Sequence, residues 1–356
     1  MSRSPVAFGP YVITRRIARG GMAEIYRAKR RGGPSQGWVA IKMMRPSLEH
    51  EDLREQLFDR EARVASAIHH PNVVELFEFG QELEHKYLAM EYVRGRDLSH
   101  LVRAVAESPV APVPPDIGLT IIMKAAAGLG HAHRLVDPST GLPLAIVHRD
   151  ISPGNVMVGY DGQVKVLDFG VARMNESNGM QTQSGTLRGK FAYMSPEQTV
   201  GSGVDARSDV FSLGTVLYEL LTGSNPFRAR TPLATLERVQ RVRPVPPSRS
   251  NRNIAREVDE ILARCLAKDP KRRFVDAGEL YEALATLLSR IGAAPDEAIA
   301  DLMRARFTWE RQEEDKELEE EEEGALLIEV VDFAIGSEDR ALDAPNVAVS
   351  EEEIAE

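Results

Sequence analysis

Between Tyr11 and Met44 apolar and polar residues alternate in short runs, the period-2 signature of half-buried strands. Three runs, "YVITRRIA", "EIYRAKR" and "WVAIKMM", are predicted strands, with a Gly-rich turn after the first and "RGGPSQG" after the second. The period then changes. In "LREQLFDREARVASAIHH" Leu57, Val64, Ala65 and Ile68 recur at helical spacing, and His70-Pro71 closes the segment. Two further strands, "VVELFEFG" and "YLAMEYV", complete a small sheet-rich unit. After "RGRDL" the pattern becomes helical in "IGLTIIMKAAAGLGHAHRL", "SDVFSLGTVLYELLTG", "PLATLERVQR", "EVDEILARCLAK" and "AGELYEALATLLSRIG". "FSLGTVLYELL" is apolar nearly all round, which predicts a helix buried at the centre of the second unit. Pro-rich loops, "ESPVAPVPPD" and "VDPSTGLPL", interrupt the helices, and no internal repeat is present. A sheet-rich lobe followed by a larger helical one is an α+β arrangement.

Charge alters this picture at one end only. The 356 residues carry a net charge of -10, but from Glu310 onward there are 19 acidic and 3 basic residues, which leaves the first 309 mildly basic. The stretch "WERQEEDKELEEEEEG" is low-complexity and like-charged, so residues 310–356 are expected to be a disordered acidic tail, with the apolar island "ALLIEVVDFAIG" inside it. That tail is expected either to solvate the chain or to fold back on basic surface. No leader pattern and no apolar run long enough for a membrane span is found, so a cytoplasmic location is expected. The single cysteine, Cys265, sits in the apolar pattern of its helix and is read as structural. No nucleic-acid partner is expected, and the oligomeric state is left open.

The candidate chemistry begins at "NVMVGYDGQVKVLD". Residues 156–158 and 164–167 read as strands joined by a turn at Asp161-Gly162, so folding the hairpin brings Asn155 beside Asp168. An amide oxygen and a carboxylate are hard ligands suited to Mg²⁺. The plainer reading is that each caps a turn. In "WVAIKMM" alternation puts Ala40 and Lys42 on one face, and on the following helix Glu61 falls inside the apolar stripe. A carboxylate there needs a partner, and Lys42 is the candidate, unless Glu61 stands at the stripe's solvated margin. Gly20 and Gly21 in "ARGGMAEIY" would let backbone N–H groups approach phosphate, or simply make a tight turn.

Taken together and in order, "VAIK", "HRD", "DFG" and "SPE" make the chain resemble the bacterial eukaryotic-like Ser/Thr protein kinase family from about residue 11 to 290. The resemblance implies a two-lobed kinase fold, with a small lobe over about 11–92 and a large lobe over 93–290, followed by a helical extension at 291–309. It implies a serine/threonine protein kinase that uses ATP with Mg²⁺, or Mn²⁺ as the alternative ion, and acts on protein hydroxyls. A nucleotide-binding pseudokinase scaffold is the competing reading. On the family pattern Lys42, oriented by Glu61, would hold the α- and β-phosphates, Asp150 would accept or orient the substrate hydroxyl, and Asn155 and Asp168 would hold metal. The nucleotide would lie against Ile17, Ala18, Gly20, Gly21, Ala23, Ile25 and Ala40, and against the hinge at Met90, Glu91 and Val93, with Asp97 near the ribose. Asp209 resembles the buried brace of the catalytic loop, and Glu197 with Arg273 a structural ion pair.

Two features depart from that pattern. Ala18 and Ala23 replace glycines, a cost if those positions need positive φ. In "HRDISPGN" Ser152 stands where the family has Lys, while Lys190 in "GKFAY" replaces a Thr, so a cation and a hydroxyl have exchanged places. Lys190 is therefore expected to reach Ser152 and Asp150, or else to be a solvent-facing loop residue. Arg149 before the catalytic Asp implies switching by phosphate on the loop after "DFG", where Thr182, Ser184 and Thr186 are the candidates.

Overall fold

The computed structural model describes residues 5–31, 37–45, 51–107, 113–169 and 189–342. Alternation produces the expected strands, with one more at the start. β1 (Val6–Phe8), β2 (Tyr11–Arg19), β3 (Ala23–Arg30), β4 (Trp38–Met44), β5 (Leu76–Glu82) and β6 (His85–Glu91) form an antiparallel sheet in the order β1-β2-β3-β4-β6-β5. Its register sets Ile25 opposite Lys42 and Arg27 opposite Ala40 across β3 and β4, and Ala40 opposite Met90 across β4 and β6. One face packs Tyr11, Val39, Ile41 and Tyr87 together; the other packs Ala23, Met44 and Leu88 against α1 (Glu51–Ser66). The buried stripe of α1 is Phe58 and Ala62, one position from the predicted Leu57 row, and Ile68 is buried beyond the helix end. That rotation puts Glu61 at the edge of the stripe, facing the sheet.

A second, three-stranded sheet joins β7 (Gly95–Asp97), β8 (Val156–Gly159) and β9 (Val164–Val166). The larger lobe holds α2 (Leu98–Glu107), α3 (Pro115–His133), the single turn α4 (Pro196–Thr199), α5 (Ala206–Thr222), α6 (Pro232–Arg241), α7 (Arg256–Cys265) and α8 (Ala277–Ile291). As its apolar pattern predicts, α5 is buried continuously from Ser208 to Leu221. Asp205 caps its start and Gly223, at φ 72°, ends it. Cys265 is fully buried, and burial pushes its thiol up to about 12, as the structural reading requires.

The chain continues as α9 (Asp296–Arg306) and α10 (Thr308–Leu342). The acidic stretch expected to be disordered is thus helical as far as Leu342, while residues 343–356 lie outside the described residues. The reason is a neighbour that composition does not reveal. Glu314, Leu318, Glu321 and Ala325 recur at helical spacing, and the face they form is covered: Leu318 and Ala325 are buried, and Glu317 and Glu321 pair with Arg27. Among the described residues no helix is long and apolar enough to cross a membrane.

Candidate active site

The predicted hairpin of β8 and β9 forms with Val156 against Val166, and the Leu167 N–H donates to the Asn155 carbonyl at 2.9 Å. Asn155 and Asp168 are thereby adjacent. Asn155 Nδ2 donates to the Asp150 carbonyl at 2.6 Å and to Asp150 Oδ2 at 3.2 Å, which turns the amide oxygen away from Asp150. Lys190 Nζ bonds the same Oδ2 at 2.6 Å. Of the two expected partners of Lys190, the described hydrogen bonds include Asp150. Ser152 is buried at the start of the turn Pro153–Asn155, and no hydrogen bond joins it to Lys190.

Across the cleft Lys42 Nζ lies 2.9 Å from Asp168 Oδ1 and pairs with Glu61. Burial presses the Lys42 ammonium down, yet Asp168 and Glu61 beside it more than offset this and hold it above its ordinary value. Burial alone would raise Asp168; the Lys42 charge and hydrogen bond outweigh it and keep the carboxyl below its usual range. Burial, and then the Asp168 charge, keep Glu61 above its usual range against the pull of Lys42. One ammonium thus faces two carboxylates, an arrangement that leaves room for more positive charge.

Asp209 organises the loop that carries Asp150. Its Oδ1 accepts the Arg149 N–H at 2.8 Å, and its Oδ2 accepts the His148 N–H at 2.7 Å and His133 Nε2–H at 2.9 Å. These bonds hold Arg149 at φ 65°, a left-handed conformation costly for an arginine. Burial would raise the Asp209 carboxyl, but His133 and His148 keep it low. His148, inside the motif yet given no role by sequence reading, donates Nε2–H to the Leu167 carbonyl at 2.7 Å and accepts the Asp150 N–H at Nδ1, 3.3 Å away. Gln198 was also missed. Its Nε2 donates to the Arg149 carbonyl at 2.7 Å while its Oε1 caps the Ser195 N–H at 2.9 Å. The signal was present in the sequence as a Ser-x-x-Gln capping box at Ser195.

Glu197 and Arg273 form a buried bidentate pair at 2.7 and 2.9 Å, with Ser208 Oγ donating to Glu197 at 2.6 Å. In the Gly-rich turn Ala18 pairs with Ile25 in the β2–β3 ladder, and none of Ala18, Gly20, Gly21 and Ala23 takes positive φ. The two alanines therefore impose no backbone strain. Arg54 Nη2 holds the Gly21 carbonyl at 2.7 Å, and Arg45 Nη1 the Gly20 carbonyl at 3.3 Å. Ile17 is exposed, Ile25 half-buried and Ala40 buried. At the hinge Met90 faces Ala40, Glu91 pairs with Lys165 at 2.6 Å, and Val93 lies between β6 and β7. Asp97 caps α2, accepting from the Ser99 N–H at 2.8 Å and contacting His100 Nδ1 at 3.1 Å. Thr182, Ser184 and Thr186 lie outside the described residues.

No cluster of three or more His, Cys, Asp or Glu suited to a metal ion is found among the described residues. Asn155 and Asp168 offer two hard oxygens, which fits an ion that keeps waters and shares phosphate oxygens.

Comparisons with known proteins agree with this geometry. The family model "Protein kinase domain" matches residues 11–283. The chain is 39% identical over 309 residues to the tyrosine-protein kinase MasK of Myxococcus xanthus, an alignment spanning 85% of this chain and 47% of that protein. It is 36% identical over 265 residues to the serine/threonine-protein kinase PknB of Mycobacterium leprae, spanning 73% of this chain and 40% of that one. The chain therefore spans less than half the length of these curated relatives. The crystal structure of the Mycobacterium tuberculosis PknI kinase domain matches 80% of this chain and 98% of its own, at 27% identity and a TM-score of 0.57. A match over residues 11–283, on a two-lobed fold that gathers Lys42, Asp150, Asn155 and Asp168, places this chain in the protein kinase domain family.

Proposed function

We propose that the chain is an ATP-dependent serine/threonine protein kinase. The observation that carries this reading is the convergence on one cleft of Lys42 with Glu61 and Asp168 from one side and Asp150 with Asn155 and Lys190 from the other. Lys42 would hold the α- and β-phosphates. Asp150, oriented by Asn155, would receive the substrate hydroxyl, and Lys190 would supply, at Asp150, the positive charge that Ser152 lacks. Asn155 and Asp168 would hold a divalent ion, Mg²⁺ before Mn²⁺, which when bound neutralises phosphate charge. The small-lobe turn at Gly20 and Gly21, with Ile17, Ala18, Ala23, Ile25, Ala40, Met90, Glu91 and Val93, would enclose the nucleotide. Asp97 would reach the ribose while capping α2.

The two curated relatives differ in name, one a tyrosine and one a serine/threonine kinase. "HRDISPGN" has neither of the Arg- and Ala-containing loop variants typical of tyrosine kinases, which favours serine and threonine. A pseudokinase scaffold is disfavoured by the intact set of Lys42, Glu61, Asp150, Asn155 and Asp168. Burial and the neighbouring Arg60 both press the Arg149 guanidinium below its ordinary value. A phosphate on Thr182, Ser184 or Thr186 would relieve that crowding, so autophosphorylation there is expected to activate.

The test is incubation with γ-labelled ATP and Mg²⁺, comparing wild type with Asp150→Asn, followed by phosphoamino-acid analysis and phosphopeptide mapping. Label that depends on Asp150, resides in phosphoserine and phosphothreonine and maps to residues 182–186 is the expected result. Label confined to phosphotyrosine, or independent of Asp150, would overturn the reading.

A further inference from the structure

The large lobe anchors α9 through buried Ile299, Met303 and Phe307. Ala294 N–H donates to Thr120 Oγ1 at 3.1 Å and Arg304 Nη1 to the Tyr160 carbonyl at 3.3 Å. From there α10 passes Arg94, which pairs with Asp315, and runs along the small-lobe sheet. Arg27 on β3 receives it. This residue is 1% exposed, a burial no cation sustains without partners. Its Nε and Nη2 donate to the two oxygens of Glu321 at 2.8 and 2.5 Å, and Nη2 also reaches Glu317 at 3.1 Å. Its Nη1 donates to the Tyr92 hydroxyl at 3.2 Å, and that hydroxyl donates to Glu314 at 2.6 Å. Thr14 Oγ1 donates to Glu321 at 2.5 Å. The guanidinium also faces the Trp38 and Tyr92 rings at 5.8 and 5.7 Å.

These contacts fall on two parts of the cleft. Arg27 stands opposite Ala40 in the ladder, and Tyr92 lies between Glu91 and Val93 of the hinge. None of the described contacts of α10 is with Lys42, Asp150 or Asp168. The ladder puts Arg27 on the sheet face that carries Ala40, so the helix meets the small lobe beside the cleft and at its hinge.

We propose that α10 is a working part of the nucleotide site, in which Glu314, Glu317 and Glu321 act as positioning residues that fix Tyr92 and Arg27 and so set the hinge against β3. The proposal rests on the kinase reading. Without the brace the two lobes sample more relative positions, the competent arrangement is a smaller fraction of the population, and apparent nucleotide affinity falls in proportion.

The experiment uses the full chain with three variants: Glu317→Gln combined with Glu321→Gln, Tyr92→Phe, and Glu319→Gln combined with Glu320→Gln as a control on the exposed face. Hydrogen exchange of the α10 amides, binding of a fluorescent ATP analogue, and kcat and KM for ATP are measured. In the first variant α10 is expected to lose protection and both the analogue Kd and KM for ATP to rise on the order of tenfold, with kcat within about twofold. Tyr92→Phe, which removes one hydroxyl and keeps the fold, is expected to raise KM about threefold by the same argument, while the control stays at wild-type values. Loss of α10 protection with unchanged nucleotide affinity, full protection after both carboxylates are neutralised, or a rise in kcat would each overturn the brace. A wild-type chain that neither binds the analogue nor transfers label would overturn the kinase reading instead.

Discussion

Lys190 Nζ sits 2.6 Å from the Asp150 carboxylate. If it replaces the cation missing at Ser152, Lys190→Thr should lower kcat on the order of 100-fold and leave KM for ATP nearly unchanged. Adding Ser152→Lys should then recover part of that loss, so a double-mutant cycle read in kcat should be strongly non-additive. Independent, additive effects would show that the two positions do not exchange one charge. Sequence alone raised this pair because each departs from the family pattern. The described hydrogen bonds join Lys190 to Asp150 and not to Ser152, because which of two nearby groups a loop residue reaches depends on how two loops pack.

At the scale of elements, the β8–β9 hairpin is the feature most legible in the sequence. Alternating valines around Asp161-Gly162 dictate it, and local hydrogen bonds complete it. Its turn is also a packing contact. Gly162 has φ 85°, and a Cβ there would lie 2.0 Å from the Asp296 carbonyl at the start of α9. Gly162→Ala should therefore cost about 2–3 kcal/mol from strain and overlap together, measured by urea unfolding, and should loosen α9. A stability within about 0.5 kcal/mol of wild type would mean that α9 is not seated against the hairpin. The burial stripe of α1 was read one residue off because helical periodicity in a single window does not fix rotation about the axis, whereas packing against Met44 and Leu88 does.

For the whole molecule, the deep ion pairs set how stability depends on acid. Glu197 and Asp209 are raised by burial but carried below their ordinary values by Arg273 and Ser208 in one case and by His133 and His148 in the other. Groups depressed in the folded state contribute stability that is complete above the unfolded carboxylate range and lost as pH falls through the lower folded values. Tm is accordingly expected to hold from pH 7 to about 5 and to drop below about pH 4. Glu197→Ala, which strands a fully buried Arg273, should cost about 3–5 kcal/mol at pH 7 and flatten that acid limb. An acid limb identical to wild type would exclude Glu197 as a contributor. The sequence by itself determined the two-lobed α+β plan, the order of the chemical motifs and the hairpin that joins Asn155 to Asp168, because strand alternation, helical period and turn chemistry act over a few neighbouring residues. Only the tertiary structure decided that Arg149 is held left-handed by Asp209, that Lys190 meets Asp150, and that the acidic segment is a helix docked on Arg27. Each of these joins groups 40 to 294 positions apart, and what stabilises them is burial beside a partner that no local window of sequence contains.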